Sequence, residues 1–239
     1  MVRLGEVGST NDVARALADA GVPEGAVVVA DVQTQGRGRL GRVWLSPQGG
    51  LWCSMLLRPP ARSAWGRLSL AVGVAASEAI EATVPLRTGI RWPNDVVLGE
   101  RKACGILIEG AGGAVVVGIG INVNVPVEKM PQEVAARATS LHLAAGHPVD
   151  RETVLRALLD RFARWHGLWT AGDDAVLEAW RRRDVTRRTR VVVDGPGPRV
   201  EGIAEGVDDD GALRVRLDSG VIQRVVAGDL TRLSVPGDC

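Results

Sequence analysis

Tyrosine is absent from this chain of 239 residues, and phenylalanine occurs once, although tryptophan occurs seven times. The absence of tyrosine removes the phenol group as a candidate acid or base. Cysteine is also scarce: Cys53, Cys104 and Cys239 are far apart, and no histidine or further cysteine stands near them at metal-ligand spacing. We therefore expect reduced thiols, and not a disulfide framework or a zinc site. A nucleophilic cysteine is disfavoured, because Cys53 and Cys104 lie in apolar, strand-like runs that oppose a thiolate.

The chain also lacks an excess of charge of either sign. Its 29 basic and 28 acidic residues leave a formal net charge of +1, so the total charge does not favour nucleic acids or membrane surfaces. No apolar run reaches the roughly 20 residues that cross a bilayer. The N-terminus has no charged-then-apolar pattern of a signal peptide. These features predict a cytoplasmic protein that uses neither DNA nor a membrane as a partner.

The first part of the chain has the pattern of an α/β fold. Ser9, Thr10, Asn11 and Asp12 precede apolar residues at helical spacing, and Gly21 follows, which predicts a capped helix. Amphipathic patterns predict further helices at residues 67–83, 151–169 and 173–183. Apolar runs between turn residues predict strands at 27–33, 51–58, 90–92, 95–98, 103–109 and 114–122, the last two as a hairpin.

The pattern changes near Thr186. From residue 189 onward, short valine-rich runs alternate with Asp-Gly and Pro-Gly turns, which is typical of a small β-barrel of about 50 residues. We therefore predict two domains, residues 1–186 and 187–239. The arginines between residues 181 and 190 are interpreted as a solvated helix end and linker, because the total charge is near neutral.

A loop at residues 36–44 combines three glycines with three arginines. Glycines let a backbone approach a ligand closely, and arginine side chains bind phosphate or carboxylate oxygens in a fork, so this composition indicates anion binding. It is not a Walker loop, because no Gly-Lys-Ser/Thr follows and no helix begins directly after it. Its Gly-x-Gly-x-x-Gly spacing matches a dinucleotide fingerprint only formally. The alternative is an arginine-glycine segment that contacts RNA or is simply mobile.

Five ordered motifs resemble those of the biotin protein ligases. The loop motif is Gln33 to Arg39 with Gly41, Arg42 and Trp44, and Ser9-Thr10-Asn11 precedes it. The others are Arg91-Trp92-Pro93-Asn94-Asp95, the run from Lys102 to Glu109, and the run from Gly118 to Asn124. The resemblance is strong from residue 8 to about residue 141, loose over the later helices, and rests on pattern alone in the terminal β-module.

Two features depart from that family. Many members have lysine where Arg91 stands, which keeps the charge but changes the donor geometry. Members that also act as repressors carry a DNA-binding module before the Ser-Thr-Asn motif, whereas only eight residues precede Ser9. The resemblance therefore predicts a stand-alone ligase without regulation through DNA.

The resemblance implies a fold and an activity. The expected fold is α/β (α+β): a mixed sheet flanked by helices, similar to the catalytic core of class II aminoacyl-tRNA synthetases, followed by a small SH3-like β-barrel. The expected reaction is the ATP- and Mg²⁺-dependent activation of biotin to biotinyl-5′-AMP, with release of pyrophosphate. Transfer to a lysine of a biotin carboxyl carrier domain follows. The role of the barrel, in holding ATP or docking that domain, and the choice between monomer and homodimer stay open.

Neither step needs a nucleophilic side chain of the enzyme, and both need reactants to be positioned and negative charge to be stabilised. By resemblance, Arg37, Arg39 and Lys102 bind the carboxylate and α-phosphate, and Asp95 helps to deprotonate the acceptor lysine. His142, His147 and His166 lie outside the motifs. The biotin site is then expected to comprise Ser9, Thr10, Asn11, Gln33, Gly36, Arg37, Gly38, Arg39, Lys102 and Gly105.

The short polar side chains of that set suit the ureido ring of biotin, which has two N–H donors and a carbonyl acceptor. Ser9, Thr10 and Asn11 are equally ordinary as helix caps, and Trp44 is equally ordinary as a core residue. The longer loop from Gly36 to Gly50 is expected to be mobile without ligand and to order over it. The adenylate site is expected at Arg39, Arg42, Trp44, Asn94, Asp95 and Asn122, with Asn122 also a candidate ligand of Mg²⁺.

Three alternatives compete with this interpretation. A lipoate or octanoate ligase shares the fold and reaction type, but its apolar substrate needs a tunnel without the polar Ser9-Thr10-Asn11 set. A nucleic-acid-binding module using residues 36–42 and 181–190 would show steep salt dependence, which the near-neutral charge disfavours. A biotin-binding protein without catalysis would have lost Lys102 or the loop arginines, and the sequence retains them.

Overall fold

The computed structural model describes residues 1–59 and 65–232, so Cys239 and the end of the second predicted domain lie outside the described residues. In chain order the elements are β1 Val2–Val7, α1 Thr10–Asp19, β2 Val27–Gln33, β3 Leu51–Leu57, α2 Trp65–Thr83, β4 Gly89–Arg91, β5 Asp95–Leu98, β6 Arg101–Ala111, β7 Ala114–Ile121, α3 Gln132–Ala135, α4 Leu141–Ala145, α5 Arg151–Thr170, α6 Ala175–Arg181, β8 Arg190–Asp194, β9 Val200–Val207, β10 Leu213–Arg216, β11 Ile222–Val225 and β12 Asp229–Arg232.

The first seven strands form one mixed sheet in the order β1-β2-β3-β7-β6-β5-β4. The pair β1 and β2 is parallel, and the other neighbours are antiparallel. The predicted mixed sheet flanked by helices is therefore confirmed. The strand β1 was not predicted, because it lies at the sheet edge and exposes most of its side chains, so it has no apolar run to mark it.

Helices cover the two faces of this sheet unequally. The long helices α2, α5 and α6 pack on one face, where Ile80, Leu155 and Trp180 are almost completely buried. On the other face α1 packs against Val28 and Leu56. The cleft described below opens on this second face, next to the first turn of α1.

The last five strands form an antiparallel sheet in the order β11-β10-β9-β8-β12, as predicted for the β-module. It is attached firmly to the first sheet. The indole N–H of the buried Trp92 donates to the carbonyl of Gly211 at 3.0 Å, and the backbone N–H of Trp92 donates to Thr186 Oγ1 at 3.0 Å. Because Thr186 is fully buried, the predicted boundary falls in a packed joint between the two sheets. The exact domain limits stay a prediction.

The arginines near this joint are engaged within the chain. Arg183, predicted to be solvated, is mostly buried and donates to Glu81 Oε2 at 3.1 Å. Arg190 contacts Asp218 at 2.8 Å and Glu201 at 3.1 Å. The interpretation of Arg183 as part of a solvated linker is therefore wrong, and these pairs leave less positive charge for a nucleic acid.

None of the helices in residues 1–59 and 65–232 has both the length and the apolar character needed to cross a bilayer.

Candidate active site

The first turn of α1 places three polar side chains at the wall of a cleft. The Ser9 hydroxyl caps the helix by accepting a hydrogen bond from the backbone N–H of Asn11 at 3.3 Å. The side-chain oxygen of Gln33, the last residue of β2, accepts hydrogen bonds from the N–H and the hydroxyl of Thr10 at 2.8 and 3.0 Å. Because all four residues line the cleft, the capping and ligand-binding interpretations of this turn are compatible.

Ser54 completes this polar group, and sequence reasoning missed it. Its hydroxyl lies 2.7 Å from Thr10 Oγ1 and 2.5 Å from Asn11 Oδ1, and its side chain is fully buried. The strand β3 is otherwise apolar, with the sequence Leu-Trp-Cys-Ser-Met-Leu-Leu. A single hydroxyl in a buried apolar strand requires a polar partner, and that was the available signal.

Glycines of β6 and β7 make room for the walls of the cleft. Gly105 and Gly120 are opposite each other in the two strands. A Cβ atom would lie 3.0 Å from the Trp44 ring if added to Gly105, and 2.6 Å from Trp44 Nε1 if added to Gly120. At Gly118 an added Cβ would overlap the side chain of Asn11. The Trp44 indole and the Asn11 amide can therefore lie directly on the sheet because these positions are glycine.

Trp44 forms a half-buried wall of the cleft. Its ring meets Trp52 edge to face, with 6.3 Å between ring centroids and an interplanar angle of 79°. The Lys102 ammonium lies 4.9 Å from the centroid of the Trp44 ring, within range of a cation–π interaction. Packing and ligand contact, the two roles considered for this tryptophan, are both compatible with this position.

Lys102 and Asp95 form an ion pair inside the cleft. Lys102 Nζ lies 2.5 Å from Asp95 Oδ1, and both side chains are about three-quarters buried. Each group neutralises the charge of the other. The pair places a cation that a ligand carboxylate or phosphate could engage next to a carboxylate that could accept a proton.

The glycine- and arginine-rich loop is folded into a short hairpin. The Trp44 N–H donates to the Gly36 carbonyl at 2.9 Å, and the Gly38 N–H donates to the Arg42 carbonyl at 2.7 Å. The 3₁₀ turn Arg39–Gly41 forms the tip, where Leu40 has a φ of 54°. Whether the loop is mobile without ligand stays a prediction.

The three arginines of the hairpin have different partners. Arg37 donates to both carboxylate oxygens of Asp12, at 2.8 and 2.5 Å, and Arg42 contacts Asp229 of β12 at 2.6 Å. Arg39 is half-buried in the cleft, and no side chain or carbonyl among the described residues lies within bonding distance of its guanidinium. Burial lowers the pKa of Arg39. In this conformation Asp12 occupies the donor fork of Arg37, and contact of Arg37 with a ligand stays a prediction.

Asn94 and Asn122 each bond to the backbone through the side-chain nitrogen. Asn94 Nδ2 donates to the Ile106 carbonyl at 2.6 Å, and Asn122 Nδ2 donates to the Thr139 carbonyl at 3.0 Å. These bonds orient the two side chains and leave the amide oxygens as acceptors in the cleft.

No group of three histidine, cysteine or acidic side chains that could hold a metal ion occurs in the described part of the chain. The oxygens of Asn122 and Asp95 fit Mg²⁺, which takes few protein ligands and is completed by phosphate oxygens and water. The cleft therefore fits a magnesium ion that arrives with a nucleotide.

The cleft as a whole has a volume of about 470 Å³, within the usual range for small-ligand sites. Every predicted site residue lines it except Gly36. A Cβ at Gly36 would overlap the Trp44 carbonyl oxygen and lie 2.6 Å from Ser46 Oγ. This glycine allows the hairpin to pack closely on Ser46, and the contact of Gly36 with biotin stays a prediction.

Two further segments of the cleft wall were missed. Residues Asp229 and Arg232, at the two ends of β12, belong to the second sheet. Met130 and Arg137 belong to the segment around α3. Sequence patterns show which residues form an element but not which distant elements meet, so no signal marked either segment.

The two cysteines that the structure describes are buried and free of disulfides. Burial raises the pKa of the Cys53 thiol to about 12, and it also raises the pKa of Cys104. Although Cys53 lines the cleft, its thiol is held in the neutral form. The prediction of free thiols without a disulfide is confirmed for Cys53 and Cys104, and their lack of reactivity stays a prediction.

Comparison with known proteins identifies two family models. Residues 6–125 match the model described as the biotin/lipoate A/B protein ligase family, and residues 188–230 match the one described as the biotin protein ligase C terminal domain. A biotin–[acetyl-CoA-carboxylase] ligase of Mycobacterium tuberculosis is 38% identical over 242 residues, covering 95% of this chain and 87% of that protein.

Two other similar proteins extend the comparison. The bifunctional ligase/repressor BirA of Bacillus spizizenii is 36% identical over 233 residues, covering 94% of this chain and 71% of that protein. Among solved structures, a biotin protein ligase from Aquifex aeolicus in complex with biotin and ATP superposes with a TM-score of 0.88 at 33% identity, covering 98% of both chains.

The raised thiol pKa predicts that Cys53 resists alkylation in the folded protein. At pH 8 about one thiol in ten thousand would be ionised if its pKa is near 12. Iodoacetamide should therefore leave the Cys53 peptide unmodified, as measured by mass spectrometry. The same reagent in guanidinium chloride provides the control and should modify it fully. Rapid alkylation of the folded protein at Cys53 would contradict the neutral, buried thiol.

Proposed function

This chain belongs to the biotin/lipoate A/B protein ligase family, and we propose that it acts as a biotin protein ligase. It forms biotinyl-5′-AMP from biotin and ATP, and then biotinylates a lysine of a biotin carboxyl carrier domain. The observation that carries the proposal is the cleft itself. One part of its wall consists of polar side chains that hydrogen-bond to one another. Another part is Arg39, whose guanidinium has no hydrogen-bond partner among the described residues.

The polar group suits the ureido ring of biotin. Thr10, Asn11, Gln33 and Ser54 hold one another in fixed positions, so their order does not have to be created when the ligand binds. The Ser9 hydroxyl uses its oxygen as the helix cap and retains its proton for a ligand carbonyl. Ser54 is an addition to the residues expected from the sequence: it positions Thr10 and Asn11.

In the first step a carboxylate oxygen of biotin attacks the α-phosphorus of ATP, and the bond to the bridging oxygen of pyrophosphate breaks. The charges that approach each other are both negative, so cations at the junction lower the barrier. The guanidinium of Arg39 has its hydrogen-bond donors available for these anions. The ammonium of Lys102 is held in the same cleft by its ion pair with Asp95. Mg²⁺ supplies further neutralisation of the phosphates, with the oxygen of Asn122 or Asp95 as a candidate ligand.

In the second step the amine of the acceptor lysine attacks the acyl carbon, and AMP leaves. The amine must lose its protons, and Asp95 is the carboxylate in the cleft that we assign to accept one. The Trp44 ring, which packs on the glycines of β6 and β7, provides a flat apolar wall. We assign this wall to contact with the adenylate. The absence of DNA binding, the oligomeric state and the cytoplasmic location stay predictions.

Substrate specificity gives the direct test. The purified protein is supplied with Mg-ATP and biotin, lipoate or octanoate, and pyrophosphate release is measured for each. Biotin alone should support release, because the polar group is built for a ureido ring, and a carrier domain should then become reactive to avidin. Release of pyrophosphate with lipoate or octanoate but not with biotin would show that the protein is instead a lipoate or octanoate ligase. No release with any of the three acids would reject the ligase function.

Substitution of Arg39→Gly should shorten the lifetime of the bound adenylate. Loss of a charge-assisted hydrogen-bonding group corresponds to about 1.5–3 kcal/mol, so the adenylate should dissociate about ten- to a hundredfold faster. Released adenylate acylates lysines of any protein present, which an avidin blot of an added bystander protein detects. Arg199→Gly, which removes an exposed barrel arginine, is the control. An unchanged dissociation rate in Arg39→Gly would contradict the assigned role.

Substitution of Asp95→Asn should slow the transfer step in a pH-dependent manner. The free lysine amine has a pKa of about 10.4, so the difference from the unmodified enzyme should be large at pH 7 and narrow as the pH approaches that value. Single-turnover transfer from preformed adenylate measures this, and Glu178→Gln on the exposed side of α6 is the control. An equal deficit at every pH would show that Asp95 acts only by holding Lys102.

A further inference from the structure

Two of the three hairpin arginines are bound to acids outside the hairpin. Arg37 is bound by Asp12 of α1, and Arg42 by Asp229 of β12. The remaining arginine, Arg39, lies between these two attachments along the chain. The position of Arg39 in the cleft is therefore determined by ion pairs that Arg39 does not itself form.

The contact between Arg37 and Asp12 is the better defined attachment. It is a fork-to-fork pair, with Nη1 2.8 Å from Oδ2 and Nη2 2.5 Å from Oδ1. Such two-point pairs fix orientation as well as distance. The guanidinium of Arg37 holds the pKa of Asp12 below its ordinary value, so the carboxylate is ionised at neutral pH.

The same pair connects the hairpin to the residues assigned to biotin. Asp12 follows Asn11 directly in the first turn of α1. Glu109 of β6 accepts a hydrogen bond from Asn11 Nδ2 at 2.6 Å and lies 3.9 Å from Arg37 Nη2. A displacement of Arg37 would thus disturb both the hairpin and the acid that orients Asn11.

We infer that Asp12 is a positioning residue for the ligase reaction: by binding Arg37 it holds the hairpin over the cleft and sets the position of Arg39. The inference rests on the proposed function. The guanidinium of Arg37 then acts through the hairpin, because Asp12 occupies its donors.

The chain offers a closely matched control for Asp12. Glu152 binds Arg3 in the same two-point manner, at 2.5 and 2.8 Å. Both acids lie in the first turn of a helix, Asp12 in α1 and Glu152 in α5. Asp12→Asn and Glu152→Gln therefore remove the same ion-pair geometry and the same favourable interaction with a helix dipole, but only the first involves the hairpin.

Hydrogen exchange of the free protein provides the first measurement. The amides of Gly38 and Trp44 are protected by the two hydrogen bonds of the hairpin. In Asp12→Asn they should exchange about two- to fivefold faster, the size expected for a partly exposed ion pair, whereas Glu152→Gln should leave them unchanged. Equal exchange in both variants and the unmodified protein would overturn the inference.

A charge exchange provides the second measurement. Arg37→Asp and Asp12→Arg are each expected to raise the dissociation rate of the adenylate and the Michaelis constant for biotin, with a smaller effect on the turnover of bound substrate. The double variant should show less impairment than the sum of the two single effects, because the attachment is rebuilt with reversed polarity. The inference requires the double variant to be less impaired than Arg37→Asp alone. A double variant at least as impaired as Arg37→Asp would show that Arg37 acts on the ligand directly.

The two measurements also separate this inference from the proposed function. Exchange of the hairpin amides needs no substrate, so it reports on Asp12 even if the protein does not activate biotin. Failure of pyrophosphate release in the unmodified protein would reject the ligase function, and unchanged exchange in Asp12→Asn would reject the role of Asp12.

Discussion

A cation half-buried without a counter-ion destabilises a folded protein, because it loses water without gaining a partner. Arg39 approaches this condition: no described side chain bonds to its half-buried guanidinium, and the carboxylates of Asp229 and Asp95 act on its charge only from a distance. Asp12 and Asp229 are occupied by the other two hairpin arginines, and Asp95 is occupied by Lys102. Asp229 and Asp95, the acids that act on the charge of Arg39, are each bound to another cation, so the hydrogen-bond donors of Arg39 are available to an incoming anion.

The glycines of β6 and β7 contribute to the shape of the cleft. Side chains in the wall of the cleft can lie directly on the sheet only where the strand residues beneath them have no side chain. Gly105 and Gly120 provide this for Trp44, and Gly118 provides it for Asn11. The same short segments that resemble family motifs therefore specify both the charges of the site and the space in which those charges meet.

Local features of this protein were predictable from its sequence, and contacts between distant segments were not. The cap of α1, the hairpin of β6 and β7 and the arginine-rich loop follow from residues close in the chain. Ser54 and Asp229 were missed because their importance depends on partners far away in the sequence. The ion pair of Arg37 with Asp12 was also missed, because the sequence shows the two charges but not that they meet.

Residues of strand β12 connect the second matched module to the first. Its Asp229 binds the hairpin of the first sheet, and Arg232 binds Glu100 in the turn between β5 and β6 at 2.6 Å. Residues of both modules therefore line the cleft, and neither module forms its whole wall. A module put in place of the barrel would have to supply an acid for Arg42 and a base for Glu100, because these two residues outside the barrel are paired with residues of β12.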